Sequence, residues 1–533
     1  MSPLIRIHNL KTDLDDDQEL LKARAAERLG LPADSIEEFR IARRSLDARH
    51  KKRIRWVYTV DAGMPDAEVV AKRAGLAMAE EQNPLEGLQH GQETLPERPV
   101  VVGCGPAGIF AAYLLSLYGY SPLVLERGGA VRERVQDVQR LWKGGEHNPE
   151  SNLLFGEGGA GTFSDGKLTC RTSSPLISSI LQIMVENRAP ENLLYEARPH
   201  IGTDRLRAVL VTLRKRMVEM GVEFRFNARM DDLRIENGAL TGLQVGEELI
   251  QTGPVLLGIG HSARDTYEML RTRGVNMEFK PFQFGMRVEH PQELIDRDQY
   301  GDAFGHQNLG PAEYILVRDK NRKRRPVFSF CMCPGGVVLP SISEPEALCT
   351  NGMSNHKRNS GLANGGLVMT IGEREVSGTD PLRGVEFQRL YERKAFLLGG
   401  SDYTAPAQSI PDFVRGIQSG RTFETTYPNG YVEADLREMI PSSAARAIAS
   451  TLKEFDRKLP GFGSDRGTIT GPESRGSSPV RIVRDSDSFE SISVKNLYPI
   501  GEGAGYAGGI ISAALDGMKT AIAIIRRYAS PGK

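Results

Sequence analysis

One stretch of the sequence, RPVVVGCGPAGIFAAYLLSLYGYSPLVLE at residues 98–126, decides the fold. It begins with a β-branched run that predicts a short strand, and the glycines Gly103, Gly105 and Gly108 follow at once. An apolar helix and a second strand come next, and Glu126 ends the unit 23 residues after Gly103. Strand, glycine turn, helix, strand and acid in this order predict a Rossmann-type dinucleotide site.

The residues of the glycine turn have separate physical tasks. Gly103 permits the tight turn, Gly105 lets the backbone approach a pyrophosphate, and Gly108 lets the helix pack closely on the strand. Pro106 and Ala107, in the same turn, are predicted to lie against the cofactor. The N-terminus of the helix would then face the phosphate charge.

A second unit of the same kind stands near the other end of the chain. NLYPI at 496–500 predicts a strand, GEGAGYAGGI at 501–510 a glycine loop, and residues 511–526 an amphipathic helix. The order of strand, glycine loop and helix in the first unit is thus repeated here.

Four further motifs accompany these units: GEGGAGTFSDGKL at 156–168, GIGHSARD at 258–265, FCMCPGG at 330–336 and ESRGSSPVRI at 473–482. With them, the chain from residue 98 to residue 533 resembles the glutathione-reductase-like flavoproteins. More narrowly, it resembles a bacterial family of FAD-dependent dehydrogenases or NAD(P)/FAD-dependent oxidoreductases. The resemblance implies an α/β fold, with a discontinuous Rossmann-like FAD-binding domain, an inserted mixed α/β substrate domain and an N-terminal ferredoxin-like α+β plait.

The domain boundaries follow from the order of these patterns. Residues 1–90 show a β-α-β-β-α pattern, which predicts the ferredoxin-like plait, and a polar linker is expected at 91–97. The FAD-binding domain would comprise residues 98–273 and 460–533. The substrate or cap domain would be inserted between them, at residues 274–459.

The resemblance also assigns residues to FAD. They come from the two glycine loops, the acid, the middle loop and the strand before residue 261, and are Gly103, Gly105, Pro106, Ala107, Gly108, Glu126, Arg127, Arg134, Gly159, Gly161, Thr162, Gly260, Gly501, Glu502, Gly509 and Ile510. Glu126 would hold the adenosine ribose, and Arg127 and Arg134 would flank the adenosine side or the pyrophosphate. Two surface arginines are an equally plausible interpretation of the latter pair.

The C-terminal loop departs from the family pattern at one position. Glu502 stands where Asp is usual, and it would reach the ribityl or pyrophosphate oxygens with an arm one methylene longer. Gly509 and Ile510 would offer backbone N–H groups to the pyrimidine edge of the flavin, where reduced flavin is negatively charged.

The glycine loop at residues 156–167 is predicted to pack over the flavin, because Phe155 precedes it and Phe163 lies within it. A mobile surface loop is the alternative. Asp165 and Lys167 are the candidates to touch flavin or substrate, and Lys167 is a candidate catalytic residue. A salt bridge between the two is the structural alternative.

Two cysteines form the most chemically suggestive pair in the inserted region. Cys331 and Cys333 are separated by one residue, so on a strand they would share a face. Next to flavin they are candidate catalytic residues, because a dithiol and its disulfide can carry electrons. Buried cysteines that merely fill space are the alternative.

Two loops carry further polar candidates. His261 and Ser262 follow an apolar strand that reaches the cofactor in this fold class, although Ser262 is as well suited to capping the next helix. Arg475 and Arg481 lie in a polar loop that suits an anionic substrate or the flavin edge, and a solvated loop explains them nearly as well.

Composition excludes several classes of protein. A chain of 533 residues with 40% hydrophobic and 26% charged residues is neither one small module nor wholly disordered. Lys plus Arg and Asp plus Glu both total 68, so no global field favours nucleic acid or an anionic membrane. Five cysteines without CxxC spacing argue against a disulfide framework and a zinc site. With no signal-peptide pattern and no membrane-length apolar run, we expect a cytoplasmic protein without a metal.

The N-terminal plait carries a strongly basic stretch at residues 40–53. A small sheet with basic strands is one way to bind RNA. Acidic neighbours and the lack of an aromatic pair for base stacking favour a solvated hairpin, so nucleic acid is not the favoured partner.

These observations predict a FAD-dependent oxidoreductase that transfers hydride or electrons through flavin N5. The small-molecule substrate and the oligomeric state are not identified. Because no second glycine unit with an acid beyond it follows a strand, NADPH or NADH would dock only transiently if it is the electron donor, and another reductant is the alternative. Two alternatives remain: a flavoprotein acting on RNA through its N-terminal domain, and a non-catalytic FAD-binding scaffold or sensor that engages a protein partner.

Overall fold

The computed structural model describes residues 3–80, 84–318 and 325–531. The N-terminal unit contains β1 (Leu4–Thr12), α1 (Gln18–Leu29), β2 (Glu38–Asp47), β3 (Arg55–Gly63), α2 (Ala67–Ala74) and β4 (Ala77–Met78). Its sheet has the order β2-β3-β1-β4 and every neighbouring pair is antiparallel, which is the ferredoxin-like arrangement.

One helix of this unit is shorter than the sequence suggests. Helical periodicity continues to residue 81, which lies outside the described residues, but α2 ends before Gly75, whose φ is +65°. The chain then turns back and adds β4 to the edge of the sheet, beside β1. A left-handed glycine after the last helical residue is a common helix stop, and it overrides the apolar pattern beyond it.

The N-terminal unit is held against the rest of the chain. Arg44 Nε donates to Glu196 over 2.9 Å, and Lys51 Nζ lies 3.2 Å from Asp298 Oδ1. Ile54 is buried in the apolar core of the inserted region. Part of the basic stretch is therefore engaged in contacts within the molecule.

The remaining elements are given in chain order. The first part of the FAD-binding region contains β5 (Val100–Val102), α3 (Pro106–Leu117), β6 (Leu123–Leu125), α4 (Val131–Trp142), α5 (Leu176–Glu186), α6 (Thr203–Glu219), β7 (Glu223–Arg225), β8 (Asp232–Glu236), β9 (Ala239–Val245), β10 (Glu248–Gln251), β11 (Val255–Leu257) and α7 (Arg264–Thr272). The inserted region contains β12 (Met277–Phe279), β13 (Phe282–Pro291), α8 (Gln292–Tyr300), β14 (Val327–Cys333), β15 (Val337–Pro340), β16 (Thr350–Met353), β17 (Leu362–Ile371), α9 (Arg383–Leu398), β18 (Ala405–Ser409), α10 (Ile410–Arg415), β19 (Tyr431–Glu433), α11 (Ser442–Lys458) and β20 (Thr468–Glu473). The chain closes with β21 (Val480–Ile482), β22 (Leu497–Pro499) and α12 (Ile510–Arg527).

A five-stranded parallel sheet joins the two ends of the chain. Its order is β22-β11-β5-β6-β7, so the C-terminal strand completes a sheet whose other members lie hundreds of residues earlier. Four of its strands, β5, β6, β11 and β22, are apolar and buried, as expected for a parallel sheet covered on both faces. In such sheets ligands bind beyond the carboxyl ends of the strands.

The inserted region is built on a six-stranded sheet of order β14-β17-β13-β20-β18-β19. Because β20 is hydrogen-bonded between β13 and β18, residues 460–473 include a strand of this sheet, not of the FAD-binding unit. The predicted boundary at residue 459 is therefore too early.

The predicted linker at 91–97 is a packed segment. The N–H groups of Gly91 and Glu93 donate to the carbonyls of Ile525 and Arg527, at the end of α12. A Cβ at Gly91 would lie 2.2 Å from the Arg527 carbonyl oxygen, so glycine is required by close contact there.

No helix within the three described ranges is both long and apolar enough to span a bilayer.

Candidate functional site

The backbone geometry of the turn between β5 and α3 explains each of its three glycines. Gly103 has φ of +97°, and a Cβ there would lie 2.2 Å from the carbonyl oxygen of Gly258. At Gly108 a Cβ would lie 2.0 Å from the Gly103 oxygen, so the helix is pressed against the turn. At Gly105 the nearest atom is the Gly159 Cα, 3.9 Å away. Gly103 and Gly108 are therefore required by close backbone contacts, whereas Gly105 leaves open space that a ligand can occupy.

A central cavity of about 380 Å³ lies at the carboxyl end of the parallel sheet, next to this turn. Its walls come from both ends of the chain and from the inserted region. The sequence-predicted residues that line it are Gly103, Gly105, Pro106, Ala107, Glu126, Arg127, Gly159, Gly161, Lys167, Gly260, Cys331, Gly501, Glu502, Gly509 and Ile510. Gly108, Arg134, Thr162 and Cys333, which were also predicted, lie behind the cavity wall.

Glu126 is buried at the end of β6 and lines the cavity. Its Oε2 accepts the N–H of Cys104 over 2.7 Å, and its Oε1 accepts the N–H groups of Gly128 and Gly156, each over 2.9 Å. One carboxylate thus ties the glycine turn to the middle loop. This position at the cavity wall suits an acid that binds ribose hydroxyls.

Arg127 lines the same end of the cavity. Its guanidinium is 2.9 Å from both Glu150 and Asp265, and it lies 4.2 Å from the ring centroid of Phe155. The side chain is therefore fixed in place while one of its faces remains part of the wall.

Arg134 has a structural task instead of the predicted cofactor contact. The side chain is fully buried and donates to the carbonyls of Asn152 over 2.8 Å, Leu153 over 2.9 Å and Glu157 over 2.8 Å. These bonds hold the start of the middle loop. A sequence motif next to an acid cannot show whether a guanidinium turns toward a cofactor or toward a loop.

The middle loop packs against the cavity. A Cβ at Gly159 would lie 3.0 Å from the Gly105 Cα, and one at Gly161 would lie 3.2 Å from Ile510 Cγ1. The loop therefore contacts the glycine turn and the first residue of α12 together. Small residues are needed where three backbone segments approach one another.

Thr162, in the same loop, also lies behind the cavity wall and not in it. Its hydroxyl donates to the Glu157 carbonyl over 2.9 Å, and its own carbonyl accepts the hydroxyl of Thr203. The side chain stabilises the loop internally, so the predicted cofactor contact of Thr162 is replaced by a structural one.

The C-terminal glycine loop brings a helix start and an acid to the cavity. Gly509 is the N-cap of α12 and Ile510 its first residue, and both line the cavity. Burial raises the pKa of Glu502 to about 7, although the nearby Lys280 opposes the shift; Cys331 adds to it. Glu502 is thus partly protonated at neutral pH.

The pH dependence of FAD affinity is expected to report on Glu502. Because FAD phosphates are negative, they favour the protonated carboxyl, so FAD binding should weaken as pH rises through about 7. Between pH 6 and pH 8 we expect the Kd for FAD to rise several-fold, and at most about tenfold per pH unit. Isothermal titration calorimetry of the apoprotein measures this directly.

Two variants separate Glu502 from its titrating neighbour. Glu502→Gln should give a nearly constant Kd over this range, whereas Cys331→Ser should keep the slope. An equally steep slope in Glu502→Gln would contradict the assignment of the raised pKa to this carboxyl.

Asp165 organises a cluster of charges at the far end of the cavity. It is 1% exposed and lies 2.8 Å from Arg358, 3.3 Å from Lys167 Nζ and 3.5 Å from His200. Burial lowers the pKa of Lys167, but Asp165 and Glu313 outweigh that effect and raise it. The predicted salt-bridge alternative is therefore present, and Lys167 still lines the cavity as a fixed positive charge.

Cys331 and Cys333 occupy a β-bulge, not a regular strand. The register of β14 against β17 shifts between Phe330 and Cys333, and Cys331 has φ of +40°, which is unusual for a residue with a Cβ. Cys331 lines the cavity and Cys333 is buried behind it. Both are free thiols, and Cys333 Sγ donates to the Cys331 carbonyl over 3.3 Å.

A buried charge network joins α7 to the inserted region. Glu392 accepts two hydrogen bonds of 2.9 Å from Arg264, and the guanidinium of Arg475 approaches it to 2.7 Å. Arg475 lines the cavity beside His261. Burial, Arg475 and Arg264 together lower the pKa of His261 to about 3, so this imidazole is neutral at physiological pH.

The sequence places the run 225–229 near the adenine, and its last two residues, Ala228 and Arg229, line the cavity at the Glu126 end. Sequence reasoning missed other lining residues, among them Met230, directly after this run, and Asn351, which reaches the cavity from β16. The position of Met230 beyond a strand of the parallel sheet was a usable signal. Asn351 had none, because the hairpin that carries it is placed only by tertiary packing.

The residues that line the cavity fit FAD. Space at Gly105, an acid at Glu126 and the start of α12 at Gly509 are what a dinucleotide with a flavin requires. Across the part of the chain that the structure describes, His, Cys, Asp and Glu form no group of three or more suited to a metal ion.

Two solved structures show distant likeness to this chain. A glycine oxidase from Bacillus cereus shares 11% identity at a TM-score of 0.36, with 81% of this chain and 98% of that chain covered. An L-proline dehydrogenase from P. horikoshii shares 12% identity at a TM-score of 0.33, with 81% and 93% covered.

Comparison of the sequence finds nearer relatives. The family model described as FAD-dependent protein, C-terminal domain-like, matches residues 281–476, and a domain of unknown function matches residues 4–63. An uncharacterized protein of Clostridium beijerinckii is 43% identical over 531 residues, which cover 99% of each chain. The chain therefore belongs to one family with this clostridial protein, a family of FAD-dependent flavoproteins.

Proposed function

We propose that the protein is a FAD-dependent oxidoreductase with FAD in the central cavity. The observation that carries the proposal is the convergence of two distant strand–glycine–helix units, at residues 98–126 and 496–526, on one cavity. The stability of the sheet alone requires neither open space at Gly105 nor a second helix start at the same place.

The lining residues suit different parts of FAD at the two ends of the cavity. Glu126 and Arg127 would hold the adenosine, and Gly105 with the start of α3 would hold the pyrophosphate. Glu502 would hold the ribityl chain or a phosphate oxygen. The isoalloxazine ring would lie at the other end, between Lys167 and the start of α12.

When bound, FAD supplies reversible two-electron chemistry at its N5. The chain contributes position and charge. The first N–H groups of α12 present the positive end of the helix dipole to the pyrimidine edge, where the reduced ring is negative. Lys167 adds a fixed cation, and neutral His261 adds a hydrogen-bonding group without charge.

NADPH or NADH is proposed as a transient electron donor that docks without a domain of its own, since the sequence contains no second complete Rossmann fingerprint. The other substrate is proposed to be a small molecule. All five cysteines are free, which suits the reducing cytoplasm that we propose as its location.

The proposal is tested by absorption spectroscopy under anaerobic conditions. The FAD-loaded protein is mixed first with NADPH and then with NADH. The absorption band of oxidised flavin near 450 nm is then followed on a time scale of about seconds. Rapid bleaching by one nucleotide supports an oxidoreductase and identifies its donor. A flavin that neither nucleotide reduces would contradict the proposed donor, and one that dithionite also fails to reduce would contradict the proposed function.

The RNA-directed alternative is not favoured. In the basic stretch and its surroundings, Arg49 lies 2.7 Å from Asp47, and Arg55 lies 3.1 Å from Asp13. Arg44 is engaged with Glu196, as described above. Asp13, one of the acidic neighbours that favoured a solvated hairpin from the sequence, is thus in contact with an arginine.

A further inference from the structure

Cys331 and Cys333 stand at the cavity wall in an arrangement that a packing role does not require. A cysteine that only fills space can occupy a regular strand, whereas Cys331 holds a left-handed φ of +40° within a bulge. Backbone conformations of this kind cluster at functional sites, because surrounding contacts must maintain them. Cys331 thus combines an unusual backbone conformation with a place in the cavity wall.

The surroundings fix this three-residue segment closely. The Cys331 carbonyl accepts from Cys333 Sγ over 3.3 Å and from Arg287 Nη1 over 3.3 Å. The Met332 carbonyl accepts the ammonium of Lys167. Two cations therefore converge on the carbonyls of the segment, and the Cys333 thiol is bonded to the Cys331 carbonyl.

The two thiols differ in their readiness to ionise. A hydrogen bond from Cys333 lowers the pKa of Cys331, and Arg287 and Lys167 act in the same direction against burial and Asp165. The same hydrogen bond, with burial, raises the pKa of Cys333. Cys331, at the cavity, is thus the more acidic thiol of the pair, and Cys333, behind it, the less acidic one.

We propose that Cys331 and Cys333 form a dithiol–disulfide couple that exchanges two electrons with FAD in the central cavity. This rests on the proposed function, which places FAD there. In one direction the Cys331 thiolate and the Cys333 thiol join in an S–S bond and release two electrons and one proton. FAD takes all three and becomes FADH⁻, so one hydrogen and one negative charge pass from the cysteines to the cofactor. The reverse step breaks the S–S bond and restores thiolate and thiol.

Lys167 is a positioning residue in this scheme. It binds the Met332 carbonyl between the two cysteines and favours the Cys331 thiolate by its charge. Replacement by methionine should slow alkylation of Cys331 by iodoacetamide near neutral pH and shift its pH profile upward. A merely structural lysine would leave that profile unchanged.

The first test counts electrons. The protein is loaded with FAD, oxidised with diamide, freed of reagent and titrated anaerobically with dithionite. The unaltered chain should consume about four electrons per FAD, two for the flavin and two for the disulfide. Cys331→Ser should consume about two. Cys349→Ser, which alters a buried cysteine outside the cavity, is the matched control and should still consume about four.

The second test needs no cofactor. Because trypsin leaves Cys331, Cys333 and Cys349 in one peptide, the Cys349→Ser apoprotein is used. Diamide treatment should lower the mass of that peptide by about 2 Da, and dithiothreitol should restore it. Loss of the mass change would overturn the proposal.

The outcomes separate the two proposals. If FAD does not bind, the proposed function fails, while the peptide mass still reports on the cysteines. If FAD binds and is reduced, but the unaltered chain consumes only about two electrons after oxidation, the dithiol–disulfide couple is wrong and the flavoprotein assignment stands.

Discussion

Replacing Glu392 by alanine is expected to lower the free energy of unfolding by about 3–5 kcal/mol. The carboxylate is fully buried on α9 and accepts hydrogen bonds from both Arg264 and Arg475, whose side chains are nearly as deeply buried. Without it, the guanidinium groups of Arg264 and Arg475 stay buried and lose the carboxylate that both of them contact. Removing one partner of a buried ion pair is costly because the charge that stays is not solvated. Urea denaturation followed by far-UV circular dichroism measures the change.

The matched control is Glu386→Ala on the same helix. That carboxylate is 64% exposed and contacts Arg389, so its loss should change the free energy of unfolding by less than about 1 kcal/mol. Equal effects of the two substitutions would contradict the central place that we give to the Glu392 network.

Replacing Gly105 by valine is expected to weaken FAD binding by more than about 100-fold, or about 2.7 kcal/mol. The position has no atom closer than 3.9 Å to an added Cβ, so the side chain should be accepted by the fold. It would instead occupy the space in which the pyrophosphate must approach the start of α3. Quenching of flavin fluorescence on titration into the apoprotein measures the affinity.

Gly372→Val is the control for the chemical change itself. Gly372 also has open space around the position of a Cβ and lies outside the cavity lining, so FAD affinity should be unaltered. The thermal midpoint of each variant should stay near that of the unaltered chain. An unchanged affinity in folded Gly105→Val would mean that the pyrophosphate is not held at this turn.

The parts of the site that sequence predicts are those in which backbone geometry demands a residue type. Gly103 and Gly108 are imposed by the backbone, because an added Cβ would lie 2.2 and 2.0 Å from a carbonyl oxygen. Gly105 would be imposed by the pyrophosphate that we propose beside it, so the spacing of all three is visible in the sequence. The acid at Glu126 follows from the length of one strand–helix–strand unit. The N-terminal plait is likewise visible, because its strands and helices have clear periodicity.

The parts that sequence does not predict depend on where a side chain turns. Arg134 and Thr162 carry the right chemistry beside the right motif, yet their polar atoms bind loop carbonyls. Asn351 enters the cavity from a hairpin that has no motif at all. Such placements come from contacts between segments far apart in the chain, and local patterns contain no trace of them.

Charge networks are hidden for the same reason. Arg264, Glu392 and Arg475 each resemble an ordinary helix or loop charge in the sequence, and only the packing of α9 against α7 makes them a buried set. The strand β20 shows the same limit for topology. Its place between β13 and β18 is decided by pairing with strands distant in sequence, which moves the domain boundary past residue 459.

The measurement that tests the account most directly is the flavin content of the purified chain. The protein is incubated with FAD and separated from free cofactor, and its visible spectrum and bound adenine are compared with the protein concentration. The account predicts a yellow protein with about one FAD per chain, since the two glycine units form a single cavity. A colourless protein that takes up no FAD would contradict it.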